Sequence, residues 1–194
     1  MRRNHRLDAW LGLRSRALVS TLMGLLLLPS MALAVQVTFS LVRPDRSRAR
    51  TGTVYLYREE STELERSATP DSAVELAAGR WWWVAETQGY VSIDSVTHEV
   101  PGAPGGKAEH FSVSLVPACT LTLAPDPRWK TITKIAVISL HYGSLYPLDP
   151  NGKRKSVAVP EGAYVVYAVG PHGRNRLGPP ATCHAFESKT LSYP

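Results

Sequence analysis

The sequence is poor in the residues that hold metal ions or carry out catalysis. It has only two cysteines, and its six histidines never fall at the spacings His-x-His or His-x-x-x-His. The motifs Gly-x-Ser-x-Gly of serine hydrolases and Gly-x-x-x-x-Gly-Lys-Ser/Thr of phosphate-binding loops are both missing. The clustered glutamates lie in one charged connection between Arg58 and Asp71, which is more typical of a solvated surface than of a paired-carboxylate site. We therefore expect no catalytic residue, no metal and no cofactor, and predict that the protein is not an enzyme.

A long apolar run occurs only at the N-terminus. Residues 1–16 carry five arginines and one acid, residues 17–28 are almost wholly apolar, and residues 32–34 read Ala-Leu-Ala. A basic segment, an apolar segment and an Ala-x-Ala end are typical of a secretory signal peptide, here residues 1–34. The apolar run is shorter than the about 20 residues that a spanning helix needs, although the long basic segment leaves an uncleaved anchor as the alternative. We expect a mature chain from Val35 without a membrane span, exported to a bacterial periplasm or out of the cell.

The mature chain has little excess charge. The full sequence has a net charge of +6, but 17 basic and 15 acidic residues remain once the signal peptide is removed. We therefore expect no nucleic-acid partner. The charge is uneven, because residues 35–117 are net −3 and residues 118–194 are net +5. The two halves could attract each other, or the second half could face an anionic polymer.

The two cysteines, Cys119 and Cys183, are expected to form a disulfide, because an even pair in an exported chain usually does. The bond would close a loop of about 65 residues and stabilise the fold by about 4 kcal/mol in the chain-entropy model. A metal site is the weaker alternative, since Cys183 and His184 are adjacent and no Cys-x-x-Cys accompanies them. Reduction should therefore destabilise residues 118–194 more than residues 35–117.

Short strands separated by turns account for most of the mature chain. Residues 35–42 alternate between apolar and polar, glycine and proline turns recur about every 8–12 residues, and no stretch sustains the 3.6-residue period of a helix. The pattern of residues 73–90 returns at residues 156–173. We predict an all-β protein with two tandem Greek-key, Ig-like β-sandwich domains, residues 35–117 and 118–194.

The repeated stretch also carries a family resemblance. Residues 74–90 follow the pattern V-x-L-x-x-G-x-W-x-W-x-A and then G-Y, and residues 157–168 follow V-x-V-x-x-G-x-Y-x-V-x-A. This pattern resembles the carboxypeptidase regulatory-like, transthyretin-like group of β-sandwich domains. The resemblance implies a seven-stranded Greek-key fold that is common in exported bacterial proteins as an accessory module, and it implies no activity. The second copy departs from the pattern, because Pro-His-Gly-Arg at residues 171–174 stands where the first copy has Gly-Tyr-Val.

Alternation along the tryptophan-rich strand assigns its side chains to two faces. One face aligns with its counterpart in the second copy and is expected to be core in both copies. The predicted core residues are Trp81, Trp83, Tyr164, Val166, Val74, Leu76, Val157 and Val159. The opposite face ends in Glu86, which indicates solvent. Trp82 and Tyr167 are therefore predicted to point outward.

The main functional prediction is an exported, non-catalytic binding or structural module that meets a protein or polysaccharide partner through a sheet face or loops. The alternative is a carbohydrate-binding module that stacks exposed aromatic side chains on sugar rings. The candidate aromatic residues are Trp82, Tyr167, Trp129 and Tyr142. The same side chains would instead lie between the two domains if the domains pack together, because apolar patches usually mark interfaces.

A basic rim on the second half is a further candidate binding surface. Three cations lie beside the Asn151-Gly152 turn, and two lie in the glycine-rich loop that follows the second copy of the strand. These residues are Lys153, Arg154, Lys155, Arg174 and Arg176. If the two loops share one end of the sandwich, they could hold an anionic polymer or an acidic protein. Such binding should weaken as salt is raised, because charges are screened over about 8 Å at physiological ionic strength.

Overall fold

The structure is a computed structural model, and it describes residues 34–93, 96–102, 108–151, 154–170 and 173–192. All of these belong to one compact unit, Leu33–Pro194. The predicted signal peptide, except for its last residue, lies outside the described residues, so its cleavage stays a prediction. Across the described ranges, no helix combines the length and the apolar character needed to span a bilayer.

Regular structure in these ranges is almost entirely β-strand, which confirms the predicted all-β fold class. A short 3-10 helix, Pro127–Thr131, is the exception. The strands are β1 (Ala34–Val42), β2 (Arg48–Ala49), β3 (Thr53–Arg58), β4 (Arg66–Ala68), β5 (Val74–Ala77), β6 (Gly79–Thr87), β7 (Tyr90–Ser92), β8 (His98–Val100), β9 (Glu109–Leu123), β10 (Lys134–Ser139), β11 (Leu145–Leu148), β12 (Ser156–Pro160), β13 (Gly162–Gly170), β14 (Gly173–Arg176), β15 (Ala181–Cys183) and β16 (Ser188–Leu191).

The first repeat consists of β1 to β8 and the first half of β9. In one group of strands, β1 pairs antiparallel with β5 and parallel with β9. In the other group, β6 pairs antiparallel with β3, β7 and β8, and β3 pairs with β4. The two groups face each other across a shared core, and β7 joins them at one side by pairing with β9.

The second repeat reproduces this arrangement with the strands that follow. The second half of β9 takes the place of β1, pairing antiparallel with β12 and parallel with β16. The strand β13 takes the place of β6 and pairs with β10, β14 and β15, while β10 pairs with β11. The proposed domain boundary between residues 117 and 118 falls inside β9, which runs through it without a break, and it stays a prediction.

A glycine occupies the same corner in both repeats. Gly79 separates β5 from β6 with a φ of 131°, and Gly162 separates β12 from β13 with a φ of 135°. Residues with a Cβ rarely adopt such angles, so glycine allows the chain to cross from one group of strands to the other. The recurrence of glycine at these two positions in the sequence therefore corresponds to the same corner of the fold in each repeat.

The core of each repeat contains the residues that alternation predicted. Trp81 and Trp83 are buried in the first core, where Trp83 packs edge-on against Phe39 with ring centroids 5.0 Å apart. Tyr164 and Val166 are buried in the second core. The remaining predicted residues, Leu76, Val157 and Val159, are also buried, and Val74 is partly buried against the first core.

The prediction that Trp82 points outward to solvent is wrong. Its side chain does lie on the opposite face from Trp81 and Trp83, but only 8% of it is exposed. It belongs to the same buried cluster as Val84, Val91 and the core of the second repeat. The physical reason is that the second repeat covers this face of β6, so a strand expected to have one core face has two.

The predicted disulfide between Cys119 and Cys183 is confirmed. It joins β9 to β15 across 64 residues, and both cysteines are buried in the core of the second repeat. The predicted greater loss of stability in residues 118–194 on reduction stays a prediction.

Replacing Trp82 by alanine should destabilise the protein by about 3–5 kcal/mol, because a large buried side chain would leave a cavity. Trp81→Ala and Trp83→Ala should cost similar amounts. Chemical unfolding of the three variants, with Tyr142→Ala as an exposed aromatic control, checks this. A loss below about 1 kcal/mol for Trp82→Ala, the value typical of surface positions, would contradict the buried position.

Candidate functional site: the seam between the repeats

The outer face of the first repeat packs directly on the second repeat. We call this contact the seam, and its first-repeat side consists of Tyr55, Tyr57, Trp82, Val84, Glu86 and Val91. The rings of Tyr57 and Trp82 are stacked, with centroids 4.2 Å apart and planes 14° from parallel. The indole Nε1 of Trp82 donates to the carbonyls of Arg58 and Ser61, each at 3.1 Å. The largest side chain of the seam is therefore fixed by both stacking and hydrogen bonds.

A buried ion pair connects the two repeats within the seam. The guanidinium of Arg154, from the second repeat, donates to the carboxylate of Glu86 and to the hydroxyl of Tyr57. It also lies over the ring of Tyr55, 3.8 Å from the centroid. The side chain of Arg154 is only 10% exposed, and that of Glu86 is only 17% exposed. The backbone N–H of Ala158 donates a further hydrogen bond of 3.3 Å to Glu86, so the second repeat supplies both donors that hold this carboxylate of the first repeat.

Burial controls the protonation of these groups. It raises the pKa of Glu86 above its ordinary value of 4.5, although Arg154 and the N–H of Ala158 favour the ionised form and oppose the shift. Burial also raises the pKa of Tyr57 to about 12 and, less strongly, the pKa of Tyr55. The phenol hydroxyls therefore stay protonated at neutral pH. The seam carboxylate with a raised pKa, Glu86, is already paired with Arg154. This pairing is typical of a structural role.

Hydrogen bonds connect the two repeats on either side of the ion pair. The hydroxyl of Tyr146, in β11, donates to the carbonyl of Ser92 at 3.0 Å, and the hydroxyl of Ser144 donates to the carbonyl of Ile93. At the continuous strand, the N–H of Ala118 donates to the carbonyl of Gly89 at 2.9 Å. Burial raises the pKa of Tyr146, so this donor also keeps its proton. The repeats are thus joined by a strand, an ion pair and a row of hydrogen bonds.

A cleft of about 550 Å³ opens beside the seam. Tyr57, Leu148 and Arg154 line one part of it, and the connection between β3 and β4 lines the other. At the cleft, Lys134 of the second repeat pairs with Glu63 of the first at 3.4 Å, and both side chains are substantially exposed. The cleft carries charges of both signs without an excess of either. Within the described ranges, no group of three or more histidine, cysteine or acidic side chains is arranged to hold a metal ion.

Two of the four aromatic residues proposed for sugar stacking are not available at the surface. Trp82 lies in the seam, and Trp129 is buried in the second repeat with its Nε1 donating to the carbonyl of Ala124 at 2.8 Å. Tyr142 is 41% exposed in the turn between β10 and β11, and Tyr167 is partly exposed on β13. Trp82 therefore lies between the two repeats, as the alternative prediction stated, while Tyr142 and Tyr167 stay candidates for sugar stacking.

The structure also separates the residues of the predicted basic rim. Arg154 points into the seam, whereas Lys155 and Arg176 are exposed on the second repeat. Lys153 lies outside the described residues, and Arg174 is part of β14 with a side chain that is not described. Arg154 cannot contribute to a solvent-facing rim, because its charge is engaged by Glu86. A shared rim of the other four cations stays a prediction.

Sequence reasoning missed Glu86, Tyr55 and Tyr57 as functional residues. Glu86 led to the prediction that its face of the strand is exposed to solvent, because buried carboxylates are rare unless they are paired. The usable signal was the apolar composition of the rest of that face, where Trp82 and Val84 precede the single acid. Such a face is more consistent with a covered surface that contains one paired charge.

Comparison with known proteins gives only distant likenesses. No protein-family model matches the chain, so membership of the carboxypeptidase regulatory-like group stays a prediction. No curated protein matches it either. The chain is similar in structure to the Bacillus anthracis TIE protein (TM-score 0.37, 11% identity), a streptococcal ancillary pilin (0.31, 13%) and the shaft pilin SpaA of Lactobacillus rhamnosus GG (0.31, 9%).

These likenesses cover 84%, 85% and 83% of this chain, and 34%, 64% and 98% of the respective neighbours. The chain therefore spans about a third of the length of the TIE protein structure. At these TM-scores the likenesses carry no argument about function. The fold assignment depends on the strand pairing described above.

Replacing Arg154 by methionine should destabilise the protein by about 3–5 kcal/mol at pH 7, because it leaves Glu86 buried without its counter-charge. Adding Glu86→Gln to this variant should recover part of the loss. Because the folded-state pKa of Glu86 is raised, its contribution to stability is fully present below about pH 4.5 and is lost as pH rises through the folded-state pKa. The deficit of Arg154→Met should therefore shrink as the pH is lowered.

Denaturant unfolding between pH 4 and pH 8 measures this effect. Lys134→Met, which removes the cation of the exposed pair with Glu63, is the control and should cost no more than about 1 kcal/mol. Equal losses for Lys134→Met and Arg154→Met would show that the buried pair has no special role.

Proposed function

We propose that the mature chain is an exported, non-catalytic β module whose two repeats act as one rigid body with a structural or accessory role for a protein or polysaccharide partner. The observation that carries this proposal is the seam, in which Glu86 and Arg154 are buried together between the repeats. Two domains joined by a flexible linker would expose such charges to water. The two buried charges compensate each other only while the repeats stay in contact, because either charge buried alone would have no counter-charge.

The chemistry of the ionisable groups supports a non-catalytic role. Among the described residues, the acid with a raised pKa is Glu86, and its carboxylate is occupied by Arg154 and by the N–H of Ala158. A general acid or base needs access to a substrate, and this carboxylate is covered by the second repeat. The charged pair at the cleft, Lys134 and Glu63, is open to solvent, and the two side chains pair with each other at 3.4 Å.

A carbohydrate-binding module is the second candidate function. Tyr142 supports it, because a tyrosine that is 41% exposed in a turn can present its ring to a ligand. Its ring meets that of His141 edge-on, with centroids 4.5 Å apart, which limits its freedom. The proposal of a rigid accessory module does not depend on this site.

The rigid-body proposal predicts a single narrow distance between the repeats in solution. Spin labels at Arg66→Cys in β4 and Asn175→Cys in β14 would report it, since both positions are exposed and the native cysteines are already bonded. Double electron–electron resonance should give one narrow peak, and Arg154→Met should broaden it. A broad distribution in the otherwise native protein would contradict the proposal.

Export predicts a mature protein that begins at Val35 and is recovered outside the cytoplasm. N-terminal sequencing of the exported protein tests this, because the Ala-x-Ala end directs cleavage after Ala34. Replacing Ala32 and Ala34 by leucine removes the small residues and should leave the leader attached. Recovery of exported protein that begins at Met1 would contradict cleavage.

A further inference from the structure

The turn between β1 and β2 carries an unusual concentration of positive charge. Four arginines and one acid lie within residues 43–50, although residues 35–117 as a whole are net −3. The turn is well ordered by hydrogen bonds, with the N–H of Arg43 donating to the carbonyl of Ser47 and the N–H of Arg46 donating to the carbonyl of Arg43, both at 2.9 Å. The acid, Asp45, accepts a hydrogen bond of 2.9 Å from the N–H of Ser47. The cations are therefore presented on a fixed turn.

Three of these cations have no ion-pair partner within the part of the chain that the structure describes. Arg46, Arg48 and Arg50 are exposed, and no carboxylate in the described ranges forms an ion pair with any of them. Other cations of the first repeat behave differently, since Arg58 pairs with Glu65 at 3.1 Å and Arg80 pairs with Glu59 at 2.5 Å. The arginines of this turn thus stand out as available for an external anion.

An aromatic pair, a partly buried tyrosine and an exposed phenylalanine, adjoins the turn. The guanidinium of Arg43 lies 5.8 Å from the ring centroid of Tyr90, and that ring meets Phe186 of the second repeat edge-on at 5.8 Å. Phe186 is 65% exposed, which is unusual for a phenylalanine. A Cβ placed on Gly89 would come within 2.7 Å of the Phe186 ring, so glycine is needed for the ring to lie there. The turn therefore adjoins, through Arg43 and Tyr90, the large apolar ring of Phe186 at the surface.

We propose that this basic-aromatic patch, consisting of Arg43, Arg46, Arg48, Arg50, Tyr90 and Phe186, binds a polysaccharide that carries carboxylates. Guanidinium groups match carboxylates in a bidentate geometry. The exposed ring of Phe186, with the partly buried ring of Tyr90 beside it, offers an apolar surface for the faces of sugar rings. The inference deepens the proposed function and rests on it, because an exported chain meets such polymers outside the cytoplasm. It places the contact on the first repeat and the edge of the seam, away from the basic rim and Tyr142.

A nucleic acid would satisfy the cations but is the less favoured ligand. The predicted export separates the protein from cytoplasmic nucleic acid, and the mature chain has nearly balanced charge. A nucleic acid would depend mostly on phosphate contacts and hence on charge alone. A uronic acid polymer should depend on both the arginines and the aromatic ring. The test therefore separates these two contributions.

The experiment measures binding of the folded mature chain to alginate, a polymer of uronic acids, by calorimetric titration at low and physiological salt. The double variant Arg46→Ser/Arg48→Ser should weaken binding at least about tenfold, because charge-assisted hydrogen bonds are lost. Phe186→Asn should also weaken binding, since it removes the ring at a residue with a φ of 65°, an angle that asparagine tolerates. The control is Arg66→Ser/Lys130→Ser, which removes two exposed cations elsewhere and should leave the affinity within about twofold, the small change expected of screened surface charges.

Several outcomes would overturn the proposal. They are no binding of alginate by the native chain at low salt, equal losses in the patch and control variants, and an unchanged affinity for Phe186→Asn. Binding of single-stranded DNA as tight as that of alginate would identify a charge-only surface and would also overturn it. Dextran, an uncharged polysaccharide, should bind much more weakly than alginate. The spin-label distance between the repeats is measured independently, so failure of the patch leaves the rigid-body proposal intact.

Discussion

The contact between Glu86 and Arg154 is the interaction on which the arrangement of the two repeats depends. It removes two opposite charges from water within a largely apolar contact that includes the stacked rings of Tyr57 and Trp82. Each charge is tolerable there only in the presence of the other, since a buried charge without a partner is strongly unfavourable. We infer that the pair favours this arrangement of the repeats over others, while the surrounding apolar area supplies most of the favourable free energy.

This constraint links the fold to the proposed function. The seam covers the outer face of β6 and leaves the turn between β1 and β2 exposed, with Phe186 held against Gly89 at the edge of the contact. The surface around Tyr90 and Phe186 exists only when the two repeats are docked, because each repeat contributes one ring. A rigid pair of repeats can therefore present a surface that neither repeat has alone.

The sequence predicted the features that depend on local periodicity, and it missed those that depend on distant contacts. Alternation correctly divided β6 into two faces, with Trp81 and Trp83 in the core, and the repeated pattern predicted an equivalent strand, β13, with Tyr164 and Val166 in the core. It could not show that Trp82 is buried, because alternation states which side chains share a face and not what covers that face. The partner of Glu86 lies 68 residues away, at a separation that no local spacing rule addresses. The disulfide was predictable because chemistry and compartment alone limit two cysteines to one pairing.

Native-state hydrogen exchange under increasing denaturant tests most directly whether the two repeats unfold as one unit while the disulfide is intact. Amides in the middle of β6 report on the first repeat, and those in the middle of β13 report on the second. We expect both sets to converge on a single opening free energy with the same dependence on denaturant, as expected for one cooperative unit. This expectation would be contradicted if the β6 amides exchanged through a separate opening of lower free energy while the β13 amides remained protected.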